Sequence, residues 1–288
     1  MAEDTDTQPL ALFGAGGKMG CRITDRISDD PAYEIDYVEP SDEGQSRLSD
    51  REVTTTAAEE ALDGADAVIL AVPDELMGSI AEDVVSRVDS GTMVILLDPA
   101  GAHAGVLPER DDITYFVTHP CHPPLFDPDR EPEHETDWFG GQGMAEQSIV
   151  CSLHQGPSED YARGEAIARD IFAPVREAHR ITTREMAILE LSLAEALAGS
   201  CVEFIREGRD HAVEMGIDEA AATDFLMGHL RIDIAIIFDI VDFPFSDAAR
   251  RTIDSTRDDL VADDWKEQIF DDERLRDRVE AVATPSND

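Results

Sequence analysis

Leu10-Ala11-Leu12-Phe13-Gly14-Ala15-Gly16-Gly17-Lys18-Met19-Gly20 is an apolar run that breaks into glycines and then into a segment with helical patterning, Cys21 to Ile27. A short apolar run ahead of glycines reads as a buried parallel strand. Glycines at 14, 16, 17 and 20 permit a tight turn, close approach of the backbone to a pyrophosphate, and close packing of helix on strand. The helix that follows points its unpaired N–H groups and positive dipole end at that pyrophosphate. The spacing reads as Gly-x-Gly with Met19 where a third glycine often stands, or as Gly-x-x-Gly-x-x-Gly through 14, 17 and 20. Lys18 and Met19 belong to the same turn and are expected to line the dinucleotide site with Gly14, Gly16 and Gly17.

A second apolar strand, Tyr33 to Val38, ends at Glu39. An acid about twenty residues beyond the glycine turn, closing the second strand, is where such a fold grips the adenosine ribose. Its carboxylate repels a 2′-phosphate, which favours NAD over NADP. The competing reading makes Glu39 one more surface acid in an acidic chain.

With 288 residues the chain has room for two domains. No apolar stretch is long enough to span a membrane, and the N-terminus is acidic and polar, unlike a signal peptide. Residues 1–9 read as a disordered leader, and the protein is expected to be soluble and cytoplasmic. Cys21, Cys121, Cys151 and Cys201 lie far apart, without the framework of a disulfide-stapled protein. A formal charge of −41 excludes nucleic acid and anionic membranes as natural partners. Lys18 and Lys266 are the only lysines. A surface rich in acids and poor in lysine is similar to that of cytosolic proteins from near-saturated salt, where screening relieves self-repulsion. Activity is therefore expected to fall at low ionic strength.

After Glu39 a polar loop is expected through Glu52, then a helix over 56–62. Asp66 to Val72 reads as a third buried strand stopped by Pro73, so Val72-Pro73-Asp74 should sit at the carboxyl edge of the sheet, beside the cofactor. A helix over 80–88, a strand over 92–97 and a strand over 113–117 follow. The last runs into Thr118-His119-Pro120-Cys121-His122-Pro123-Pro124. Residues 125–142 are a Pro- and acid-rich excursion whose length points to a functional loop. A strand over 148–153, a helix to about Phe172 and an edge strand over 174–181 complete an α/β Rossmann-type doubly wound sheet. Thr182-x-x-Glu185 is a capping box opening a helix to about Arg206, where Gly208 offers an interruption. An N-cap at Asp218 opens another, apolar on most sides, to about Phe238. The expected organisation is an NAD-binding Rossmann domain over 1–181 and an all-α substrate and dimerisation domain over 182–288. A helix apolar all round in so small a domain points to a second subunit, hence a homodimer.

The histidine–proline turn is the strongest chemical cluster. It leaves the sheet at the same edge as the glycine turn, and a histidine there can take the proton of a substrate hydroxyl as hydride leaves. His119 and His122 are the candidates; either could instead hold a metal, or simply bond to loop backbone. Cys121 as a nucleophile is disfavoured, because no step needs a covalent intermediate. Glu190 and Glu195 lie in an otherwise apolar segment, where buried acids require a pair, a metal or a substrate. Five residues apart on an α-helix they diverge by about 140°. His229, with Asp233 one turn on, could supply a facing metal ligand or be a satisfied core histidine. With no lysine between 19 and 265, the proton has to be carried by histidine or glutamate unless Lys18 or Lys266 substitutes.

The glycine turn, Leu70-Ala71-Val72-Pro73-Asp74, the His119–Pro124 turn and Met186-Ala187-Ile188-Leu189-Glu190 together resemble the D-apionate oxidoisomerase-like NAD-dependent oxidoreductases, also labelled phosphogluconate dehydrogenase C-terminal-like or semialdehyde dehydrogenase. More distantly the layout is similar to prephenate dehydrogenases, in which a His-Pro at the place of His119 carries the catalytic histidine. It is also similar to ketol-acid reductoisomerases, whose acidic helix residues bind magnesium. The resemblance implies oxidation of a small branched hydroxy acid by NAD, with migration of a substituent on an α-ketol skeleton. His119 would then be the base, His122 would orient the substrate, Glu195 would assist enolisation, and Glu190 and His229 would be candidate ligands of a divalent ion. A hydroxyacid or prephenate-type dehydrogenase without rearrangement, and an NADH-binding redox sensor, are the alternatives.

Overall fold

The computed structural model describes residues 7–127, 136–142 and 144–283. The chain divides into two compact units, one of residues 1–188 with 276–288 and a second of residues 189–275. The division falls seven residues later than the expected boundary after 181, because Thr183 to Ala187, at the start of the capped helix, bury Thr183, Met186 and Ala187 in the first unit.

The first unit is built on a seven-stranded sheet of order β2-β1-β3-β4-β5-β6-β7. Its strands are β1 (Gln8–Phe13), β2 (Tyr33–Val38), β3 (Ala67–Leu70), β4 (Met93–Leu96), β5 (Thr114–Pro120), β6 (Gln147–Gln155) and β7 (Val175–Arg180). β1 pairs in parallel with both β2 and β3, and the parallel run continues through β5; β6 is antiparallel to β5 and parallel to β7. The chain leaves β1 outward to β2 and then crosses to β3 on the other side. That reversal makes the carboxyl ends of β1 and β3 a topological switch point, where doubly wound sheets bind ligands.

Alternation along the strands explains why the sheet is covered on both faces. Ala11, Phe13, Val68, Leu70, Val94 and Leu96 belong to one apolar cluster, while Leu10, Leu12, Ile69 and Ile95 belong to the other. All four residues of β3 and of β4 are buried. Each large aliphatic side chain removed from water there stabilises the fold by about 1.5–3 kcal/mol.

Helices α1 (Lys18–Ile27), α2 (Asp42–Ser49), α3 (Ala58–Leu62), α4 (Asp74–Val85), α5 (Ala100–Ala104) and α6 (Asp160–Ile171) connect the strands, and α7 (Thr183–Ala187) closes this part of the chain. Several differ from expectation. The polar stretch after Glu39 holds α2, started by Ser41, whose hydroxyl accepts from the Gly44 N–H. α4 begins at Asp74, six residues early, with two acids in its first turn. Of the expected leader, residues 1–6 lie outside the described residues, and Gln8 and Pro9 belong to β1, paired with Tyr33 and Glu34. Proline at a strand's start loses no interior ladder bond.

The second unit is helical. The capping box of Thr182 and Glu185 is formed, and its helix runs on into a stretch wound with i→i+5 spacing, Ile188–Gly199, and then into α8 (Ser200–Glu214), which passes through Gly208 without a break. α9 (Glu219–Ile237), α10 (Asp247–Leu260) and α11 (Trp265–Phe270) follow, and α12 spans Asp272–Ala283. Among the described residues no helix is long and apolar enough to cross a membrane.

Candidate active site

Where β1 ends, Gly14 takes φ +73°, and a Cβ there would lie 2.3 Å from the Ala71 carbonyl oxygen. A Cβ on Gly16 would meet the Gly44 backbone at 2.4 Å. The turn therefore has to be glycine at both positions, which lets it pack closely against Ala71 and Gly44. The start of α1 is electrostatically distinctive: Gly17 caps it without a side-chain hydrogen bond, and its first turn has no acid. α2, α3 and α4 all carry acids there, whereas α1, like the short α5, has none of its own in that turn, which leaves its positive end to an anion from outside the helix. That cradle and that charge fit a dinucleotide pyrophosphate.

Glu39 lies beside the turn. One carboxylate oxygen accepts from the Gly16 N–H at 3.0 Å and the other from the Ser41 N–H at 2.9 Å and its hydroxyl at 2.6 Å. The acid at the end of β2 thus braces the glycine turn as well as standing where a ribose is expected.

A cleft of about 410 Å³ opens at the switch point, lined by Gly17, Lys18, Met19 and Arg22 of the first turn and helix, by Leu70 to Asp74, and by His119, Pro120 and His122. The three stretches singled out in the sequence converge on one cavity. Leu97, Asp98 and Phe139 complete its wall.

His119 projects from the end of β5, its Nδ1 2.8 Å from the Leu97 carbonyl oxygen. A carbonyl can only accept, so Nδ1 carries the hydrogen and Nε2 the lone pair. Burial lowers the pKa of the imidazole, opposed by the Leu97 hydrogen bond and the charge of Asp98. A ring nitrogen of His119 and a carboxylate oxygen of Asp98 lie within 4.8 Å. Asp98 itself accepts from the Ala100 N–H at 2.7 Å. His122, at φ +62°, donates from Nδ1 to the Phe139 carbonyl 2.9 Å away, and its ring meets that of His119 edge-on at 6.2 Å. A non-glycine residue held at positive φ beside a cleft is the kind of backbone strain that functional sites retain. The Cys121 thiol is pushed up by desolvation, away from the thiolate a nucleophile requires.

In the second unit Glu190 is half-buried and Glu195 exposed. The stretch is wound with i→i+5 rather than i→i+4 spacing, which makes their divergence smaller than on an α-helix. His229 is held within its own helix, with Nε2 keeping the lone pair. Its Nδ1 donates to the Phe225 carbonyl one turn back at 2.8 Å, and its ring stacks on Phe225 at 4.0 Å on an exposed face. The cause is local: residues four apart on a helix meet each other before they meet anything else.

Arg22, Asp98 and Phe139 were not legible as site residues. Asp98 closes β4 ahead of Pro99, a strand-end position that could have marked it. Phe139 carries no such signal, because the fold of its loop brings it to the cleft, whereas Arg22 lies on α1 one turn beyond Lys18, a spacing that could have marked it.

Residues 127–283 match the family model of the phosphogluconate dehydrogenase (decarboxylating) C-terminal region. A D-apionate oxidoisomerase of Rhizobium rhizogenes is 43% identical over 274 residues, 95% of this chain and 98% of its own length. The crystal structure of a semialdehyde dehydrogenase NAD-binding protein from Cupriavidus necator, in complex with calcium and NAD, is 42% identical, with a TM-score of 0.92 over 96% of this chain and 99% of that one. An NADH-preferring ketol-acid reductoisomerase from an uncultured archaeon shares the fold alone, with a TM-score of 0.66 at 14% identity. With a glycine cradle, a histidine corner and near full-length identity all in agreement, the chain belongs to the D-apionate oxidoisomerase family of NAD-dependent oxidoreductases.

Proposed function

We propose that this protein oxidises D-apionate with NAD and couples the oxidation to isomerisation of the carbon skeleton. The observation that carries the reading is the single cleft holding the glycine turn, the Val72–Asp74 edge and both histidines, in a chain so similar to D-apionate oxidoisomerases. When bound, NAD supplies the hydride acceptor and a divalent cation a Lewis acid for carbonyl and alkoxide oxygens. Gly14, Gly16 and Gly17 shape the turn at the pyrophosphate end, and Lys18 and Met19, at the start of α1, hold that end through backbone N–H groups and helix dipole. Glu39 holds the ribose and repels a 2′-phosphate, and Val72, Pro73 and Asp74 border the nicotinamide.

His119 takes the hydroxyl proton on Nε2. Its lowered pKa keeps it neutral near pH 7, the state a general base needs. Asp98 stabilises the imidazolium that results, and His122, fixed through Phe139, orients the substrate. Glu190 and Glu195 offer hard oxygen donors, which suits a magnesium- or calcium-like ion; Glu195 also assists enolisation.

The helices of residues 189–275 expose Val202, Phe204, Phe225, Met227 and Phe238, each by more than half. A patch of that extent favours a homodimer formed through the helical unit. The charge of −41 favours a cytoplasm of high salt.

The test is a panel of branched and linear sugar acids assayed for NADH formation in molar salt, with and without chelator, the product being identified by NMR. D-apionate should be oxidised to a product of altered skeleton, and chelator should slow the rearrangement. An unaltered skeleton makes the protein a simple hydroxyacid dehydrogenase; NADH binding without turnover of any acid makes it a redox sensor.

A further inference from the structure

The cleft has one positive end. Apart from the histidines, its cationic lining residues are Lys18 and Arg22, one turn apart on α1. Both lie on the ring of Phe139, the Lys18 Nζ at 4.1 Å and the Arg22 Cζ at 4.7 Å from its centroid. Arg22 also makes a weak contact to the Met19 sulfur at 3.7 Å. Among the described residues neither cation is in an ion pair, although Arg47, Arg51, Arg87, Arg110, Arg169 and Arg176 all hold carboxylates. An aromatic face positions a cation without neutralising it. In a chain of 64 acids, two cations kept on a phenylalanine leave a charge for an anion that arrives from solution.

The place of that charge points to substrate rather than cofactor. The pyrophosphate end of the cleft is served by the backbone N–H groups at the start of α1, whereas Arg22 stands a turn further along and lies with Phe139. Phe139 is tied to the histidine corner: its carbonyl accepts from His122, whose ring lies 5.8 Å away edge-on, and His122 lies 6.2 Å from His119. A short acid whose carboxylate sits on Arg22 therefore has its hydroxyl carbons in reach of the corner.

We propose that Arg22, with Lys18 beside it, binds the substrate carboxylate, and so makes the cleft select short hydroxy acids over the corresponding alcohols. This rests on the function proposed above. The planar guanidinium fork matches a carboxylate in a way that a lysine ammonium does not.

The experiment compares the parent enzyme with R22Q and R22K in molar salt. One arm measures KM for D-apionate and for NAD. The other measures binding of D-glycerate, with glycerol as the neutral control, to the NADH-loaded, chelator-treated enzyme by calorimetry. R22Q should raise KM for D-apionate by about 10–100-fold with KM for NAD within about twofold, and should abolish the preference for D-glycerate over glycerol. R22K should fall between, and added guanidinium ion should partly restore R22Q. A rise in KM for NAD with D-glycerate affinity unchanged assigns Arg22 to the cofactor and overturns the proposal. If the parent does not oxidise D-apionate, the proposed function fails, and the D-glycerate arm still decides Arg22.

Discussion

Every residue of β3 and β4 is buried, whereas the described residues of 189–275 bury only Leu191, Ser192, Ala235 and Leu275. The two units use their apolar residues differently. The sheet closes two cores of its own, one on each face. The helices of the second unit are as regular but leave Met215, Phe225 and Phe238 at least 70% exposed. Capping and helical pattern are enough to form such helices, but a core needs surfaces that face each other. The sheet unit carries a cleft complete enough to be read chemically; the helical unit has the character of half a packing arrangement.

The sharpest way to break that contrast is at the histidine corner. His119→Ala should lower kcat by about 10²–10⁴-fold and leave NAD affinity, measured by fluorescence quenching, unchanged. Comparable turnover would mean that the cleft of the sheet unit is not where the proton moves.

The helical side is tested by placing charge on its bare face. If the proposed homodimer forms, Phe225→Asp with Val202→Asp should dissociate it in sedimentation at molar salt and lower the melting temperature, each apolar side chain that is no longer covered costing about 1.5–3 kcal/mol. A variant that is unchanged in mass and stability would show that nothing covers this face.

A smaller effect is expected at Glu39, which braces the turn and is the proposed holder of the ribose. Glu39→Ser should raise KM for NAD by roughly 10-fold and improve use of NADP. Glu39→Gln, which keeps an acceptor for the Gly16 N–H while losing the charge, should recover NAD binding in part and still admit NADP. If Glu39→Gln behaves as the parent does with both cofactors, the acid only braces the turn.

The smallest effect is a displaced pH limb. Burial lowers the pKa of His119, so the acid limb of kcat/KM should lie below the ordinary histidine value near 6.5. The same shift has a sign for stability: between the lowered and the ordinary value the unfolded chain binds a proton that the folded one does not, so stability falls as the pH drops through that window. His119→Asn should flatten that part of the stability profile; an unchanged slope would assign it to other groups.

Much of the site was legible because its residues lie next to one another along the chain. Gly14 to Gly20 and His119 to Pro124 each place several functional groups at the end of one strand, and strand ends in a doubly wound sheet share an edge. Asp98 and Phe139 escaped because each contributes a single side chain from a separate stretch, and Arg22, one turn beyond Lys18 on α1, escaped because only its contact with Phe139 ties it to the cleft. The winding of 188–199 escaped for another reason. Periodicity assumes 3.6 residues per turn, so Glu190 and Glu195 read as diverging, while the i→i+5 winding narrows the angle between them.

The amino-acid sequence by itself determined the order of strands and helices, the glycine cradle, the acid at the end of β2 and the approach of the histidine turn to one sheet edge. These follow from local sterics and from apolar runs that can be satisfied only inside a sheet. Tertiary structure alone decided which cations face the cleft, which histidine nitrogen carries the lone pair, where the two units divide, and which apolar residues stay uncovered. Each of those depends on contacts between stretches far apart in the chain, and no local pattern of residues encodes a contact of that kind.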